Sequence, residues 1–207
     1  GPDDVGFTLA LLEALKQTYA IDEKRVYATG MSNGGMFCQQ LAIEATAHLA
    51  AVASVTAQIP AASSDRAPQG EISVLLMNGT EDPLVPYEGG AIVIALSQRR
   101  REQGQGNIRG SVLSTDETIA YWLRHNGLSG EPLVASIPNK HRRDGATALS
   151  KTWRGGQGLS VVLVRIDGGG HTYPGGSQYL PKTLIGNTCR DFDASEMIWE
   201  FFSRHSK

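Results

Sequence analysis

Only two cysteines, Cys38 and Cys189, occur in 207 residues. They are too few for a disulfide framework and lack the paired spacing of a zinc site. One disulfide and two buried thiols both fit them, so the redox compartment stays open. No apolar run approaches the ~20 residues that a membrane helix needs. No charged segment leads into an apolar one, so the chain shows no signal peptide. Neither sign of charge dominates: 19 Lys and Arg stand against 21 Asp and Glu, for a net charge of −2. That balance argues against a nucleic-acid binder, whose phosphate contacts need a basic excess. Two basic clusters, Arg99-Arg100-Arg101 and Arg142-Arg143, adjoin Glu102 and Asp144 and read as solvated loop faces. No cluster of metal-ligand type is visible, and neither a metal nor a cofactor is expected.

What the chain does have is a core. With 41% hydrophobic and 19% charged residues, disorder and fibrous repeats are implausible, and the length suits one domain over residues 1–207. Gly1-Pro2 reads as the scar of a cleaved purification tag, with any export signal lost at that boundary. The 24 glycines punctuate apolar runs. Asp3 and Asp4 can cap a helix whose broad apolar face carries Val5, Thr8, Leu9, Leu11, Leu12, Leu15 and Tyr19. Short apolar runs at 26–29, 51–57, 72–77 and 160–166 read as strands. Those at 134–137 and 151–154 could be a hairpin-like pair or loop strands. Helices are predicted over 34–48, from a Ser114/Glu117 capping box, and from near Asp193. The segment between 79 and 114 reads as glycine-rich and irregular. Strands alternating with helices at this spacing predict an α/β fold with a mostly parallel sheet.

In a parallel sheet, function collects beyond the carboxyl ends of the strands. Those ends carry Gly30-Met31-Ser32-Asn33-Gly34, then Asn78-Gly79-Thr80-Glu81-Asp82, then Gly169-Gly170-His171. A serine, an acid and a histidine follow strands in the order of α/β-hydrolases. The pentapeptide G-x-S-x-G alone is weak in a chain this rich in glycine and serine. Its context is specific, because it ends a strand and opens a helix, as a nucleophile elbow must. Glycines on both sides of Ser32 are expected to avoid collisions with neighbouring backbone. Glu81 competes with Asp82 as the acid. His48, His125, His141 and His205 have no matching strand end.

The roles follow. Ser32 Oγ attacks an ester carbonyl, His171 takes its proton, and Asp82 holds the imidazole tautomer and stabilises the imidazolium. The backbone N–H of Asn33 is the first oxyanion donor. Tyr173, Tyr87 and Trp153 offer flat surfaces for an acyl or aromatic-ester pocket, with core packing equally open for Tyr87 and Trp153. Cys38, on the helix behind Ser32, is expected to be buried rather than reactive.

Three stretches carry a resemblance. Residues 30–35 (Gly-Met-Ser-Asn-Gly-Gly), 78–87 (Asn-Gly-Thr-Glu-Asp-Pro-Leu-Val-Pro-Tyr) and 168–176 (Gly-Gly-Gly-His-Thr-Tyr-Pro-Gly-Gly) resemble the polyhydroxybutyrate depolymerase and feruloyl esterase family. Residues 114–127 and Asp191-Phe192-Asp193-Ala194 are similar too. The resemblance implies a secreted or periplasmic serine esterase. Its implied substrates are polyhydroxyalkanoates, feruloylated or acetylated plant polysaccharide, or short acyl esters. Ser32, Asp82 and His171 match the family triad one by one. Tyr173 stands where the family usually has tryptophan, which bears on pocket shape.

An α/β-hydrolase has several strands before its elbow, and a loop after the third supplies the second oxyanion donor. Only 31 residues precede Ser32, so those strands and that loop are expected to be absent, giving a truncated α/β-hydrolase fold. The strand at 26–29 would then be an exposed edge, and a homo-oligomer is expected to cover it. A missing oxyanion donor typically costs about 10²–10³ in rate. The alternatives are a catalytically impaired hydrolase fragment or binding protein, and a peptidase or acyltransferase of the same fold. Expected partners are an ester substrate and a second copy, with no nucleic acid and no membrane.

Overall fold

The four apolar runs read from the sequence as strands, and the two at 134–137 and 151–154 left open as a hairpin-like pair or loop strands, join a single sheet. The computed structural model describes residues 2–94, 103 and 106–207; the cluster Arg99-Arg100-Arg101-Glu102 lies outside them. The large sheet contains β1 (Tyr27–Met31), β2 (Ala51–Val55), β3 (Ser73–Gly79), β6 (Leu133–Ile137), β7 (Thr147–Arg154) and β8 (Ser160–Asp167). Their spatial order is β1-β2-β3-β8-β7-β6. β1, β2, β3 and β8 run parallel, while β7 and β6 are antiparallel. The change of direction has a simple cause. Residues 155–159 link β7 to β8, and a link that short permits a hairpin but no crossover.

β2 and β3 are buried along their whole length, as strands covered on both faces must be. Their side chains alternate between two cores. Val52, Val74, Leu76, Val161 and Leu163 face one layer, supplied by α2 (Asn33–Glu44) and α3 (Thr115–His125). Ala51, Ala53, Val55, Leu75, Met77, Val164 and Ile166 face the other, closed by Ile198, Phe201 and Phe202 of α5 (Ala194–Ser203), which follows the short α4 (Lys182–Ile185). Each large side chain buried in this way contributes about 1.5–3 kcal/mol. This is the mostly parallel α/β arrangement of an α/β-hydrolase-like fold.

One buried polar chain crosses the first core. Trp122 Nε1 donates to Gln39 Oε1 at 2.7 Å, Gln39 Nε2 donates to Ser54 Oγ at 2.8 Å, and Ser54 Oγ donates to the Ala57 carbonyl at 3.3 Å. It locks α3 and α2 to the carboxyl end of β2.

The helix ends follow their sequence signals. Asp3 accepts from Gly6 N at the start of α1 (Asp4–Thr18), the Ser114/Glu117 capping box is complete, and Asp193 accepts from Ser195 N and Glu196 N. The α1 face departs from expectation. No α1 residue is buried; Val5 and Leu9 reach the core, whereas Phe7, Leu11 and Tyr19 stay largely exposed. α1 packs through one edge, over a small apolar groove that Leu11, Leu15 and Tyr27 line. Among the described residues, β1 pairs on one side only.

The segment read as irregular holds a second, two-stranded sheet. β4 (Gly90–Ile94) pairs antiparallel with β5 (Asn107–Val112), with a register shift between Ala91 and Val93. The run Ala91-Ile92-Val93-Ile94 is a β-type signal that the surrounding glycines obscured.

Candidate active site

β1 ends at Met31, and the next residue turns the chain sharply into α2. Ser32 has φ 55° and ψ −124°, a conformation that costs a non-glycine residue about 1–3 kcal/mol. Two backbone bonds hold it there: Ser32 N donates to the Val55 carbonyl and Met36 N to the Ser32 carbonyl, both at 2.9 Å. The elbow's glycines are not equivalent. A Cβ on Gly30 would lie 2.5 Å from the carbonyl carbon of Gly34, and one on Gly35 would lie 2.7 Å from Ala57 Cβ. Gly34 has open space there. The expectation that both flanking glycines avoid collisions therefore holds for Gly30 and fails for Gly34; Gly35 has the second tight contact.

Asp82 and His171 sit on loops that follow the adjacent strands β3 and β8. Backbone bonds staple the loops together: Thr80 N to the Ile166 carbonyl and Glu81 N to the Gly169 carbonyl, each at 2.9 Å. Gly79 must be small, since a Cβ there would collide with the Gly169 backbone. Asp82 Oδ2 lies 2.8 Å from His171 Nδ1, with both side chains almost fully buried. Asp82 Oδ1 accepts from Leu84 N at 2.8 Å and Val85 N at 2.9 Å. A carboxylate on Nδ1 selects the tautomer with its proton there, leaving Nε2 as the basic nitrogen. Glu81 is exposed and is not the carboxylate bonded to His171. His171 N donates to the Ile185 carbonyl at 2.6 Å, and the Tyr179 hydroxyl donates to the His171 carbonyl at 2.9 Å.

Ser32, Asn33 and His171 line one pocket of about 350 Å³, closed by Met36, Leu84, Val85, Ile92, Ile94 and Arg109. Asn33 opens α2, and the first amides of a helix have no intrahelical partner. The pocket shares Asn33, Met36, Ile92 and Arg109 with a wider groove of about 730 Å³ that runs toward α1. The three aromatic residues expected to bind substrate lie elsewhere. Tyr87 is buried with its ring near the Arg165 guanidinium, and its hydroxyl pKa is pushed up to about 12, chiefly by burial. Trp153 lies on β7, where Nε1 donates to the Gly130 carbonyl and the ring packs on the first core. Tyr173 packs on the second core, with its hydroxyl 3.3 Å from Ser195 Oγ. None of them lines the pocket of Ser32 and His171. The apolar wall comes from α2, the Asp82 loop and β4, which individual aromatic residues in the sequence do not reveal.

A second serine and histidine also meet. Ser160 Oγ lies 3.0 Å from His205 Nε2, and His205 Nδ1 lies 2.7 Å from the Phe201 carbonyl. This pair is buried at the start of β8, the end of the sheet opposite to the loops. It ties α5 to the sheet.

Cys38 and Cys189 are separate buried thiols, each with its pKa pushed up to about 11, mainly by burial. The sequence shows no metal-ligand spacing, yet the fold brings ligand atoms of Asp144, Cys189 and Asp191 within 4.8 Å of one another. Their chemistry fits a structural joint. Asp144 accepts from Ala146 N and Arg190 N, and Asp191 from Lys140 N and His141 N. Cys189 points its protonated thiol at Asp191.

Comparison with known proteins finds relatives that are named as esterases. It is 31% identical over 201 residues to NocK of Nocardia uniformis subsp. tsuyamanensis, a protein named as an inferred esterase. It is 26% identical over 172 residues to feruloyl esterase B of Piromyces equi. These alignments cover 97% and 82% of this chain, but 57% and 29% of the two relatives. The chain thus spans little more than half of one relative and under a third of the other. No family model matches it. In sequence the chain is similar to these two proteins named as esterases, and its fold is α/β-hydrolase-like.

Proposed function

We propose that this chain is the catalytic part of a serine carboxylic-ester hydrolase. The observation that carries the reading is a serine in a strained strand-to-helix turn, sharing a pocket with a histidine whose far nitrogen is held by a buried carboxylate. Ser32 Oγ attacks the ester carbonyl carbon as His171 Nε2 accepts its proton. The carbonyl oxygen takes up negative charge toward the Asn33 amide and the positive end of the α2 dipole. Collapse of this adduct expels the alcohol, which takes the proton from His171 and leaves an acyl-serine. Water attacks the acyl-serine by the same steps in reverse and releases the acid. Asp82 keeps the ring oriented and offsets the imidazolium charge throughout.

The natural ester belongs to this reading as well. Met36, Leu84, Val85, Ile92 and Ile94 make an apolar wall suited to a short acyl or hydroxyacyl chain, and a relative named feruloyl esterase keeps aromatic acyl esters in play. Hydroxyalkanoate, feruloyl, acetyl and short-chain acyl esters are the substrate classes to compare. We assign residues 1–207 to one domain acting outside the cytoplasm, and the one-sided pairing of β1 supports association of two copies at that edge. Size-exclusion chromatography with light scattering reads that association directly, and recovery from the culture medium or periplasm of a native host reads the location.

The deciding experiment compares p-nitrophenyl acetate and butyrate hydrolysis by the chain and by Ser32→Ala. Turnover lost in the variant, together with labelling of Ser32 by a fluorophosphonate, supports the reading. Equal residual rates in both proteins, or labelling of Ser160 instead, would overturn it. A peptide anilide run alongside separates an esterase from a peptidase.

A further inference from the structure

The basic dipeptide Arg142-Arg143 reads from the sequence as an isolated solvated face, but the fold gives it company. It lies in the connection between β6 and β7 with Lys140 and His141. The segment after His171 brings up Gln178, Lys182, Thr188 and Arg190. These residues and Asp144 line one recess of about 620 Å³. Five lysines and arginines and a histidine thus surround a single carboxylate in a chain whose net charge is −2.

The carboxylates present bond to backbone amides and form no ion pair with these cations. Asp144 spends one oxygen on Ala146 N and the other on Arg190 N, so it holds backbone amides. Asp191 likewise takes Lys140 N and His141 N at 2.8 and 2.9 Å. The Lys182 ammonium donates to the Asp144 carbonyl at 3.1 Å. Among the described residues, no ion pair joins Lys140, Arg142, Arg143, Lys182 or Arg190 to an acidic side chain. The loops are pinned by their backbones, and the cationic residues line the recess.

Like charges lining one recess repel, and an anion among them relieves that repulsion. Arginine forks match the paired oxygens of carboxylate and phosphate groups. The volume falls in the range of ligand sites, roughly 300–1,000 Å³, and exceeds what one such group fills. We propose that this recess binds a ligand carrying several oxyanion groups, separate from whatever occupies the pocket of Ser32. Two sources offer that chemistry: an acidic glycan with carboxylates along its chain, and a small free polyanion. The recess also shares a loop with His171. Gln178, bonded to Thr188 and to the Gly186 carbonyl, precedes Tyr179, whose hydroxyl holds the His171 carbonyl. The proposal does not depend on the esterase reading.

Titration calorimetry in low-salt buffer tests it with three probes: trigalacturonate, citrate and pyrophosphate. Saturable binding is expected for at least one, weakened by added sodium chloride as the charges are screened. Arg142→Glu with Arg143→Glu should weaken it at least tenfold without moving the melting temperature, because both side chains are exposed. Lys140→Ala with Arg190→Ala is the second variant, milder in charge. Trigalacturonate binding tighter than the small anions identifies the glycan source, and the opposite order identifies a free polyanion. No saturable binding of any probe, or affinities unchanged in both double variants, would overturn the proposal.

Discussion

Replacing Asp82 by asparagine removes one charge and one acceptor while leaving the loop's framework in place. Asp82 makes three bonds: Oδ1 takes Leu84 N and Val85 N, and Oδ2 takes the His171 Nδ1 proton. An asparagine can keep its carbonyl on the two amides, so the turn survives. Its NH₂ group then faces Nδ1, and two donors meet unless the ring adopts the tautomer with its proton on Nε2. That tautomer cannot accept the Ser32 proton. The lost attraction between carboxylate and imidazolium, taken at about 4 Å with an effective dielectric of 20, is about 4 kcal/mol. That corresponds to about 10³ in rate, and the tautomer penalty adds to it. Asp82→Asn should therefore lower kcat for p-nitrophenyl acetate at least 10³-fold, with KM and melting temperature little changed. Asp82→Ala should match it in rate but also unfold more easily, since two amides lose their acceptor at about 1–3 kcal/mol each. Steady-state kinetics and thermal denaturation on the same preparations read both. A loss below tenfold in Asp82→Asn would refute the assigned role of the carboxylate.

Further outcomes are expected. Gly30→Ala should destabilise the chain by about 1–3 kcal/mol or prevent folding, because the new methyl meets Gly34 backbone at 2.5 Å. Gly34→Ala should be neutral or stabilising by up to about 1 kcal/mol, having open space and a better helix former; urea melts of the two variants distinguish them. Gln39→Leu should cost about 1–3 kcal/mol, because the buried Trp122 indole N–H loses its 2.7 Å acceptor, and calorimetry reads the loss. Cys38 and Cys189 should resist Ellman's reagent at pH 8 in the native state and both react once unfolded. Burial raises each pKa to about 11, so the folded state favours the neutral thiol. The stability this confers is complete below the ordinary thiol value near ~8.5 and is lost as pH rises from there toward about 11. Chemical denaturation at pH 8, 9 and 10 should show a falling midpoint.

Much of the fold is legible because its signals are local. The strand runs at 26–29, 72–77 and 160–166, the Ser114/Glu117 box and the Asp193 cap depend on neighbours a few residues away, and each forms within a few residues of its expected place. β4 and β5 were illegible because glycine weakens the apparent strand pattern, and only pairing between the two segments stabilises either. The candidate site divides along the same line. Ser32, Asp82 and His171 stand at strand ends that the sequence marks, and the His171–Asp82 contact spans 89 residues through loops that run from adjacent strands. The pocket wall was missed because Met36, Leu84 and Ile92 have nothing in common until the chain is folded.

By itself, the sequence determined the alternation of strand and helix, the turn at Ser32 and the overall balance of charge. Patterning and capping act over a few bonds and survive in any context. Tertiary structure alone decided which glycine is sterically required, which aromatics pack away from the pocket, and that five cations surround one recess. Those properties are set by distances between segments remote in sequence, and such distances exist only after the sheet has closed the core.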